Sequence, residues 1–334
     1  MSIATDELER VTNDYIWMEN GKPQDIFYNE SYAVNYFTKQ RKGLFQRPDG
    51  GKYIHVPMVY DISVGGWYVR GEAISSDDRE LTYVAEYTWK HGYGNATVTR
   101  IDMQQNRGDL AQVTLIQTRL DGGMKRNGYD LANAFYADAV GASAKAVTGF
   151  LACCNETATT DYGGFAEDDL VSKDGSKKWE GKRTTTAESI TFNVVRTLRT
   201  SAKVSNGPGG KPDVGFTSET LFNVLQDQAL LMQRLTSSKS DSEAARLGFN
   251  ALWFEGMDIA ADDYCPSDGF AAVNSTHYGA AIMKYESNSK GILEREPWGK
   301  IPGRAGDKTT KFYFDGNYVC NHRAAQAYHS GLTV

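Results

Sequence analysis

The segments KYIHVPM (52–58) and TYVAEYTW (82–89) decide the fold. In each segment the side chains alternate between two faces, which is typical of a β-strand with one buried face. Residues 61–81 connect the two segments and carry three glycines and the acidic group Asp77, Asp78 and Glu80. We therefore predict an extended hairpin, with two strands joined by a long loop.

A connection of this length inside a compact domain is typical of a functional loop or a disordered one. An enzyme could use it as a lid over a substrate. Trp67 and Tyr68 near its tip favour contact with another protein, because amphipathic aromatic rings are enriched at protein interfaces.

A second long element follows at residues 110–140. Apolar residues recur there at intervals of three and four: Leu110, Val113, Ile116, Leu120, Met124, Leu131 and Phe135. This spacing predicts a single helix of about 30 residues, roughly 45 Å long. Gly122, Gly123 and Gly128 each cost about 1 kcal/mol relative to alanine, so they indicate either a kink or a close backbone crossing.

The rest of the chain mixes short helices and strands. Thr185 and Glu188 have capping-box spacing, which predicts a helix through Ile190, Val194 and Leu198. The segment NGPGGKP (206–212) is a chain break. Further predictions are a buried strand at 213–217, a helix capped by Ser218 that carries Leu221, Leu225, Ala229 and Met232, and short strands near 249–259, 271–273 and 311–319. The fold class is therefore α+β, without βαβ alternation or repeats.

The first fifty residues combine aromatic side chains with frequent charges and have no long helical period. The aromatic residues are Tyr15, Trp17, Phe27, Tyr28, Tyr32, Tyr36, Phe37 and Phe45. Two interpretations stay open. The segment is either an ordinary N-terminal subdomain or an arm that buries its aromatic rings on a neighbouring subunit.

Composition limits the function classes. The chain has 334 residues and a net charge of −6, which opposes a phosphate-gripping surface. We expect a soluble protein made in the cytoplasm, since neither a signal peptide nor a membrane-spanning apolar stretch is visible. Four cysteines without CxxC spacing are expected to be buried apolar residues, and the five histidines are scattered.

The motifs of common enzymes are absent. GxGxxG, HExxH and GxSxG do not occur, and Gly210-Lys211 lacks the remaining residues of a phosphate-binding loop. Asp258, Asp262, Asp263 and Asp268 do not follow the spacing of a calcium loop, which favours a solvated acidic turn. We therefore predict no catalytic residues, no metal ligands and no cofactor.

Several segments, taken in order, carry a resemblance to a known family. They are VAEYTWK (84–90), the helical stretch 110–140 closing on VTGF (147–150), KPDVGFT (211–217), GFNALWFEG (248–256) with AVN (272–274), and residues 312–320 followed by NHRA (321–324). The set resembles the major capsid proteins of tailed phages with the Hong Kong 97 fold, across nearly the whole chain.

The resemblance implies a division into five parts. These are an N-terminal arm (1–50), an extended E-loop hairpin (51–107), a peripheral domain with a long spine helix (108–204), an apical domain (205–305) and a returning peripheral segment (306–334). It also implies a subunit interface, for which the aromatic and basic candidates are Tyr15, Trp17, Trp67, Tyr68, Arg70, Tyr87 and Trp89.

The implied function is a shell of pentamers and hexamers that encloses double-stranded phage DNA without sequence-specific binding. A separate scaffolding protein and a portal protein are the expected partners, and the presence of a decoration protein stays open. No membrane is involved, and the virion is the expected location. Two alternatives stay open. One is an encapsulin-type compartment that encloses cargo enzymes, and the other is a cytoplasmic α+β enzyme with a lid loop.

Overall fold

The structure is a computed structural model of the full chain. It describes residues 31–40, 42–61, 63–74, 80–105, 109–138, 145–155, 161–172, 175, 177, 179–205, 209–231, 251–285, 292–304 and 306–334. Most of the predicted arm, residues 1–30, lies outside the described residues, as do Val140 at the predicted end of the long helix and Met232.

The predicted hairpin is confirmed. Strand β1 (Tyr53–Val59) pairs antiparallel with β2 (Thr82–Thr88), and Tyr53 lies opposite Thr88 at the root. Ile54, Val56 and Met58 point into the core and alternate with exposed residues, so β1 has one buried face.

A five-stranded sheet is built around one long strand. Strand β13 (Lys308–Cys320) pairs antiparallel with β3 (Lys90–Val98) over nine residues. The other partners of β13 are β10 (Tyr278–Ile282), β11 (Glu294–Arg295) and β12 (Gly299–Lys300). Its residues alternate between buried and half-buried positions along most of their length, as one covered sheet face requires.

Two helices follow β3. The short helix α2 (Arg100–Gln105) leads into the long helix α3 (Asp109–Phe135), which has 27 residues and confirms the long helix predicted from the sequence. Helix α3 lies across β3 and β13, and its buried residues Ile116, Leu120 and Met124 pack with Phe312 of β13.

The glycines of α3 mark a close backbone crossing. A Cβ atom on Gly94 of β3 would lie 1.9 Å from the carbonyl oxygen of Gly123, and a Cβ on Gly123 would lie 3.2 Å from the Phe312 ring. Gly122, by contrast, has open space around its Cα. Of the two interpretations of these glycines, the crossing is correct at Gly123.

A six-stranded sheet forms the second unit. Its strand order is β4 (Arg183–Thr184), β14 (Ala327–His329), β9 (Phe270–Val273), β6 (Val214–Thr217), β8 (Met257–Ala261) and β7 (Ala251–Phe254). The strands β5 (Glu188–Ser189) and β15 (Leu332–Thr333) form a separate parallel pair. The predicted strands at 213–217, 249–259 and 271–273 therefore all belong to this unit, although Phe249 and Asn250 lie outside the described residues.

Two helices cover one face of the six-stranded sheet. They are α5 (Phe192–Ser201) and α6 (Glu219–Leu231), and their buried residues share one apolar cluster with Ile259 and Phe270. The Ser218 hydroxyl accepts the Leu221 amide at 3.5 Å, which confirms the predicted cap of α6.

The predicted start of α5 was wrong. Thr191 caps α5 by accepting the Val194 amide at 3.3 Å, and Glu188 lies in strand β5. Thr185 therefore lies six residues before the true cap. The reason is that pairing of β5 with the C-terminal strand β15 competes with helix formation at residues 188–189.

An aromatic core joins the two units. It includes α1, an α-helical turn (Tyr32–Val34) that continues as a π-helical turn (Asn35–Lys39). Phe37 lies 5.8 Å from Phe135 and 5.4 Å from Tyr278 between ring centroids. The short helix α4 (Phe150–Cys154) adds Phe150, which stacks on Phe135 at 5.7 Å. Residues 31–40 therefore pack into the core of their own subunit, and the alternative of an arm buried on a neighbour does not apply to them.

The sheets do not follow the predicted part boundaries. Strand β14 and strand β15 lie beyond residue 306 but pair with strands of the central region of the chain. Strands β10 to β12 lie before residue 305 but pair with β13. Each unit is thus assembled from separate stretches of the chain, and β14, near the end of the chain, lies inside the six-stranded sheet.

Candidate functional site

The tip of the β1–β2 hairpin exposes a group of large apolar side chains. Trp67 is 103% exposed, Tyr68 68%, Val69 74% and Ile74 69%. Burial of this apolar surface would contribute a favourable free energy of roughly 25 cal/mol for each Å² removed from water. Because these side chains are close together in the chain and face solvent, the tip is typical of a surface that another protein covers.

The tip has a defined turn. The Val69 amide donates to the Glu72 carboxylate at 2.9 Å, and the Glu72 amide donates to the Val69 carbonyl at 3.0 Å. Gly71 has φ +92°, a left-handed conformation that suits glycine. Arg70 and Glu72 are therefore exposed beside Trp67 and Tyr68, so the tip offers both charges together with apolar surface.

The root of the hairpin is anchored in the core. Tyr87 is 3% exposed, and its hydroxyl donates to the Cys320 carbonyl at 2.7 Å and accepts the Cys320 amide at 3.2 Å. Burial raises the pKa of Tyr87 well above its usual value, so the side chain stays neutral. The Glu86 amide donates to the Gly163 carbonyl at 2.9 Å, which ties β2 to a neighbouring loop.

Two further contacts restrain the connection between the root and the tip. The Ser172 hydroxyl donates to the Asp61 carboxylate at 2.9 Å, and the ring of Tyr83 lies edge-on to Phe165 at 4.8 Å. These contacts start from the polar loop 161–172. Its place beside the hairpin could not be read from local sequence.

The predicted interface residues fall into three groups. Trp67, Tyr68 and Arg70 lie together at the exposed tip. Tyr87 belongs to the subunit interior, and Trp89 is half-buried with its indole N–H donating to the Gly51 carbonyl at 2.9 Å. Tyr15 and Trp17 lie outside the described residues. The structure therefore brings together three of the seven candidates and gives Tyr87 a role inside the subunit.

A groove with a volume of about 800 Å³ lies between β3 and the C-terminal half of α3. Its floor is apolar and includes Leu131, Ala134, Val147 and Phe314. Its lining also carries Arg126 and Lys145, one acidic residue, Asp130, and the buried Lys90. Arg126 forms an ion pair with Asp130 at 2.9 Å, and burial lowers the pKa of Lys90. The groove thus combines an apolar floor with a rim of net positive charge, in a chain whose net charge is negative.

Sequence reasoning missed a buried arginine that makes several polar contacts in the core. The Arg323 side chain is fully buried, lies 3.6 Å from the Glu167 carboxylate, and donates to the carbonyls of Cys153 (2.9 Å), Trp179 (3.0 Å) and Asn155 (2.7 Å). One guanidinium therefore joins α4, the loop before β4 and the turn after β13. The available signal was an arginine set in a run that is otherwise mostly apolar, residues 323–328.

The described ranges contain neither a metal site nor a membrane-spanning helix. No group of three or more His, Cys, Asp or Glu side chains there is arranged to hold a metal ion. No helix among the described residues is both long enough and apolar enough to span a bilayer. The four cysteines are buried and unbridged, as predicted.

The arrangement of the described elements defines a fold class. An extended hairpin, a long helix across a sheet and a separate helix-covered sheet together make the α+β capsid fold of the Hong Kong 97 type. A chain of the cyanophage A-1(L) capsid asymmetric unit superposes with a TM-score of 0.62 at 13% identity, covering 91% of this chain and 93% of that one.

Two other solved structures show the same fold. The capsid of a native GTA particle has a TM-score of 0.55 at 11% identity and covers 89% of this chain and 90% of its own. The SrpI encapsulin of Synechococcus elongatus PCC 7942 has a TM-score of 0.51 at 9% identity and covers 88% and 86%. No protein-family model and no curated protein matches the chain by sequence. The comparisons therefore rest on shape, and at these identities shape shows the fold.

Proposed function

We propose that this chain is a major capsid protein that assembles with copies of itself into the icosahedral shell around phage DNA. The observation that carries the proposal is the exposed apolar tip of a hairpin whose root is fixed in the core. A lone subunit gains nothing from such a tip. A lattice of identical subunits can bury it repeatedly, because head-to-tail contacts close into rings.

The receiving surface is the groove between β3 and α3 of an adjacent copy. Residues 61–81 contain five acidic and two basic residues, whereas the rim of the groove has a net positive charge. The apolar side chains Trp67, Tyr68 and Val69 match the apolar floor formed by Leu131 and Phe314. Complementary charge sets the register of such a contact, and apolar burial supplies most of its free energy.

The domain assignment follows from the sheets. The six-stranded sheet with α5 and α6 would form the apical domain, and the five-stranded sheet with α3 as the spine helix would form the peripheral domain. Under this proposal the apical domain draws on residues 183–273 and 327–334, which replaces the boundaries expected from the sequence. The hairpin is the E-loop, and residues 1–30 remain candidates for an arm.

Other parts of the proposal follow from the capsid role. Scaffolding, portal and decoration proteins would be separate chains, and the shell would enclose DNA without recognising its sequence. The protein would be made in the host cytoplasm and would end in the virion. We propose no catalytic activity and no cofactor for it.

The encapsulin-type compartment remains the second candidate, because SrpI shares the fold. The contents of purified particles separate the two: DNA or dependence on a scaffolding protein supports the capsid, and a co-purified cargo enzyme supports the compartment. An enzyme with a lid loop predicts instead a small particle that does not assemble under any condition.

The test is negative-stain microscopy of the chain expressed with and without its neighbouring genes. The proposal predicts rings, tubes or closed shells. Replacing residues 63–80 with an Asn-Gly turn keeps Asp61 and the root contacts, so this variant should fold with an unchanged circular dichroism spectrum but stay unassembled. Normal shells from the shortened chain would refute the role of the tip.

The groove has its own test. Lys145→Glu should reduce assembly, and adding Glu72→Lys should restore part of it, because opposite charges then face each other again. Lys284→Glu is the matched control, since Lys284 is exposed, lies outside the groove and pairs with Asp49. Equal loss of assembly in Lys145→Glu and Lys284→Glu would contradict the assignment of the groove.

A further inference from the structure

A row of four aromatic rings leads from the core to the outer end of the hairpin strands. Trp179 is 1% exposed, and its ring centroid lies 6.4 Å from that of Phe165. The ring of Phe165 lies edge-on to Tyr83 of β2 at 4.8 Å, and Tyr83 lies 6.3 Å from Tyr60, the residue after β1. The Tyr60 amide donates to the Leu81 carbonyl at 3.1 Å and so continues the strand pairing there. This aromatic row therefore reaches both strands at the end nearest the tip.

The inner end of the aromatic row is fixed in the subunit. The Trp179 indole N–H donates to the Tyr162 carbonyl at 2.8 Å, and the Trp179 carbonyl accepts from the buried Arg323 side chain at 3.0 Å. The Arg323 guanidinium also lies over the Tyr162 ring, 5.1 Å from its centroid. Movement of Trp179 would therefore break buried hydrogen bonds.

A tight turn holds Phe165 against the hairpin. Tyr162 and Phe165 pair through their backbones, with the Tyr162 amide donating to the Phe165 carbonyl at 3.0 Å. Gly163 and Gly164 between them have φ angles of +66° and +87°, which glycine adopts without strain. A Cβ atom on Gly163 would lie 3.1 Å from the Tyr87 hydroxyl, so the turn lies directly against β2.

The contact of Phe165 lies far enough from the root to control the direction of the hairpin. Tyr83 is four residues from Tyr87, which is about 13 Å along the strand. A two-stranded hairpin has little stability of its own. Contacts at the root alone would leave the outer part of the strands able to bend, whereas a second contact at Tyr83 fixes their direction.

We propose that Phe165 is a positioning residue, which sets the angle at which the hairpin tip leaves the subunit. Ser172 supports the same angle through its hydrogen bond to Asp61, just beyond the end of β1. The consequence for assembly rests on the proposed capsid role: the direction of the tip would determine the angle between adjacent copies, and hence the curvature of the shell. The positioning itself does not depend on assembly and can be tested on unassembled chain.

Hydrogen–deuterium exchange of the unassembled full-length chain, followed by mass spectrometry, tests the positioning. In Phe165→Ala the amides at the outer ends of both strands, residues 58–60 and 81–84, should exchange about tenfold faster, because the ring contact to β2 is lost. Amides at the root, residues 85–88, should keep their rates, and Phe165→Tyr should restore wild-type exchange. Val171→Ala is the matched control, since Val171 lies in the same loop, is 44% exposed and lies outside the aromatic row.

Equal exchange at the outer amides of Phe165→Ala and the wild type, or the same acceleration in Val171→Ala, would overturn the positioning role. Circular dichroism shows whether each variant folds. If Phe165→Ala does not fold, Phe165→Leu gives the same comparison, because it removes the ring and keeps most of the apolar volume.

Assembled particles test the consequence for curvature. If the wild type forms shells of one diameter, Phe165→Ala should form particles of mixed diameter or open sheets. Shells of wild-type diameter from Phe165→Ala would overturn the link to curvature. A wild type that never assembles would refute the capsid role, while the exchange measurement would still decide the positioning role.

Discussion

Strand β3 and helix α3 can cross closely because Gly94 and Gly123 have no Cβ atom. Close contact there lets Asn127 donate from its amide to the Phe312 carbonyl at 3.0 Å, which ties the helix to β13. A glycine inside a helix lowers the stability of the helix by about 1 kcal/mol relative to alanine. The close crossing is therefore made at the expense of helix stability at Gly123.

Gly94→Ala should therefore destabilise the folded chain by about 3 kcal/mol, because its Cβ would meet the Gly123 carbonyl and the backbones would have to separate. Gly122→Ala is the matched control. Its Cβ has open space, so we expect a gain of up to about 1 kcal/mol. Urea unfolding of both variants measures the difference, and equal free energies of unfolding would show that the crossing is not tight.

Asp262 makes a second measurable prediction, because it is buried and the predicted solvated acidic turn is wrong at this residue. Its carboxylate accepts the Ser31 hydroxyl at 2.9 Å, the Ala33 amide at 2.9 Å and the Tyr264 amide at 3.0 Å, and so holds α1 on the core. Burial nevertheless raises the pKa of Asp262 in the folded state.

A raised folded pKa means that the folded state binds the proton more tightly than the unfolded state. The contribution of Asp262 to stability is then largest below the unfolded pKa of about 3.9 and is lost as the pH rises through the folded value. Asp262→Asn cannot titrate. The free energy of unfolding of the wild type, relative to this variant, should fall from pH 3 to pH 7. A difference that is flat or rises with pH would contradict the assigned shift.

At the scale of elements, the proposed capsid role assigns folding to the root of the hairpin and assembly to its tip. Its root contributes Ile54, Val56 and Tyr87 to the core, whereas the described apolar side chains at its tip are exposed. Substitutions at the root should therefore change stability, and substitutions at the tip should change association.

Val69→Ser tests this separation. Val69 is 74% exposed, so the melting temperature should stay nearly unchanged, while the sedimentation profile should shift from assembled to unassembled protein. Val334→Ser is the matched control because Val334 is 72% exposed but lies at the C-terminus. Assembly that is equally impaired in both variants would point to a general effect of lost apolar surface.

Periodicity made the hairpin and the long helix predictable from sequence, because each of them is a local pattern. The buried strand predicted at 213–217, after the chain break, is observed at 214–217. The groove was not predictable, since its walls come from β3, α3 and residues 145–147 and meet only through tertiary packing. The same holds for Arg323 and Glu167, which lie far apart in the chain. Thr185 shows the opposite error. The capping-box spacing of Thr185 and Glu188 predicts a helix start, but residues 188–189 pair as a strand with residues 332–333.

Across the whole molecule, the two sheets are each assembled from distant stretches of chain and share one aromatic core. Phe135 contacts Phe37, Phe150 and Phe216, so the end of the long helix lies where the units meet. Such a subunit can behave as one rigid unit from which the hairpin tip extends into solvent. The proposed lattice would account for the exposure of Trp67, because an adjacent copy would cover it.

The most direct measurement is a cryo-electron microscopy reconstruction of the assembled particle at side-chain resolution. We predict a closed icosahedral shell in which Trp67 of each subunit is covered by the groove between β3 and α3 of an adjacent copy, with Glu72 near Lys145. Particles without icosahedral order, or an ordered shell in which Trp67 faces solvent and the groove is empty, would contradict the account.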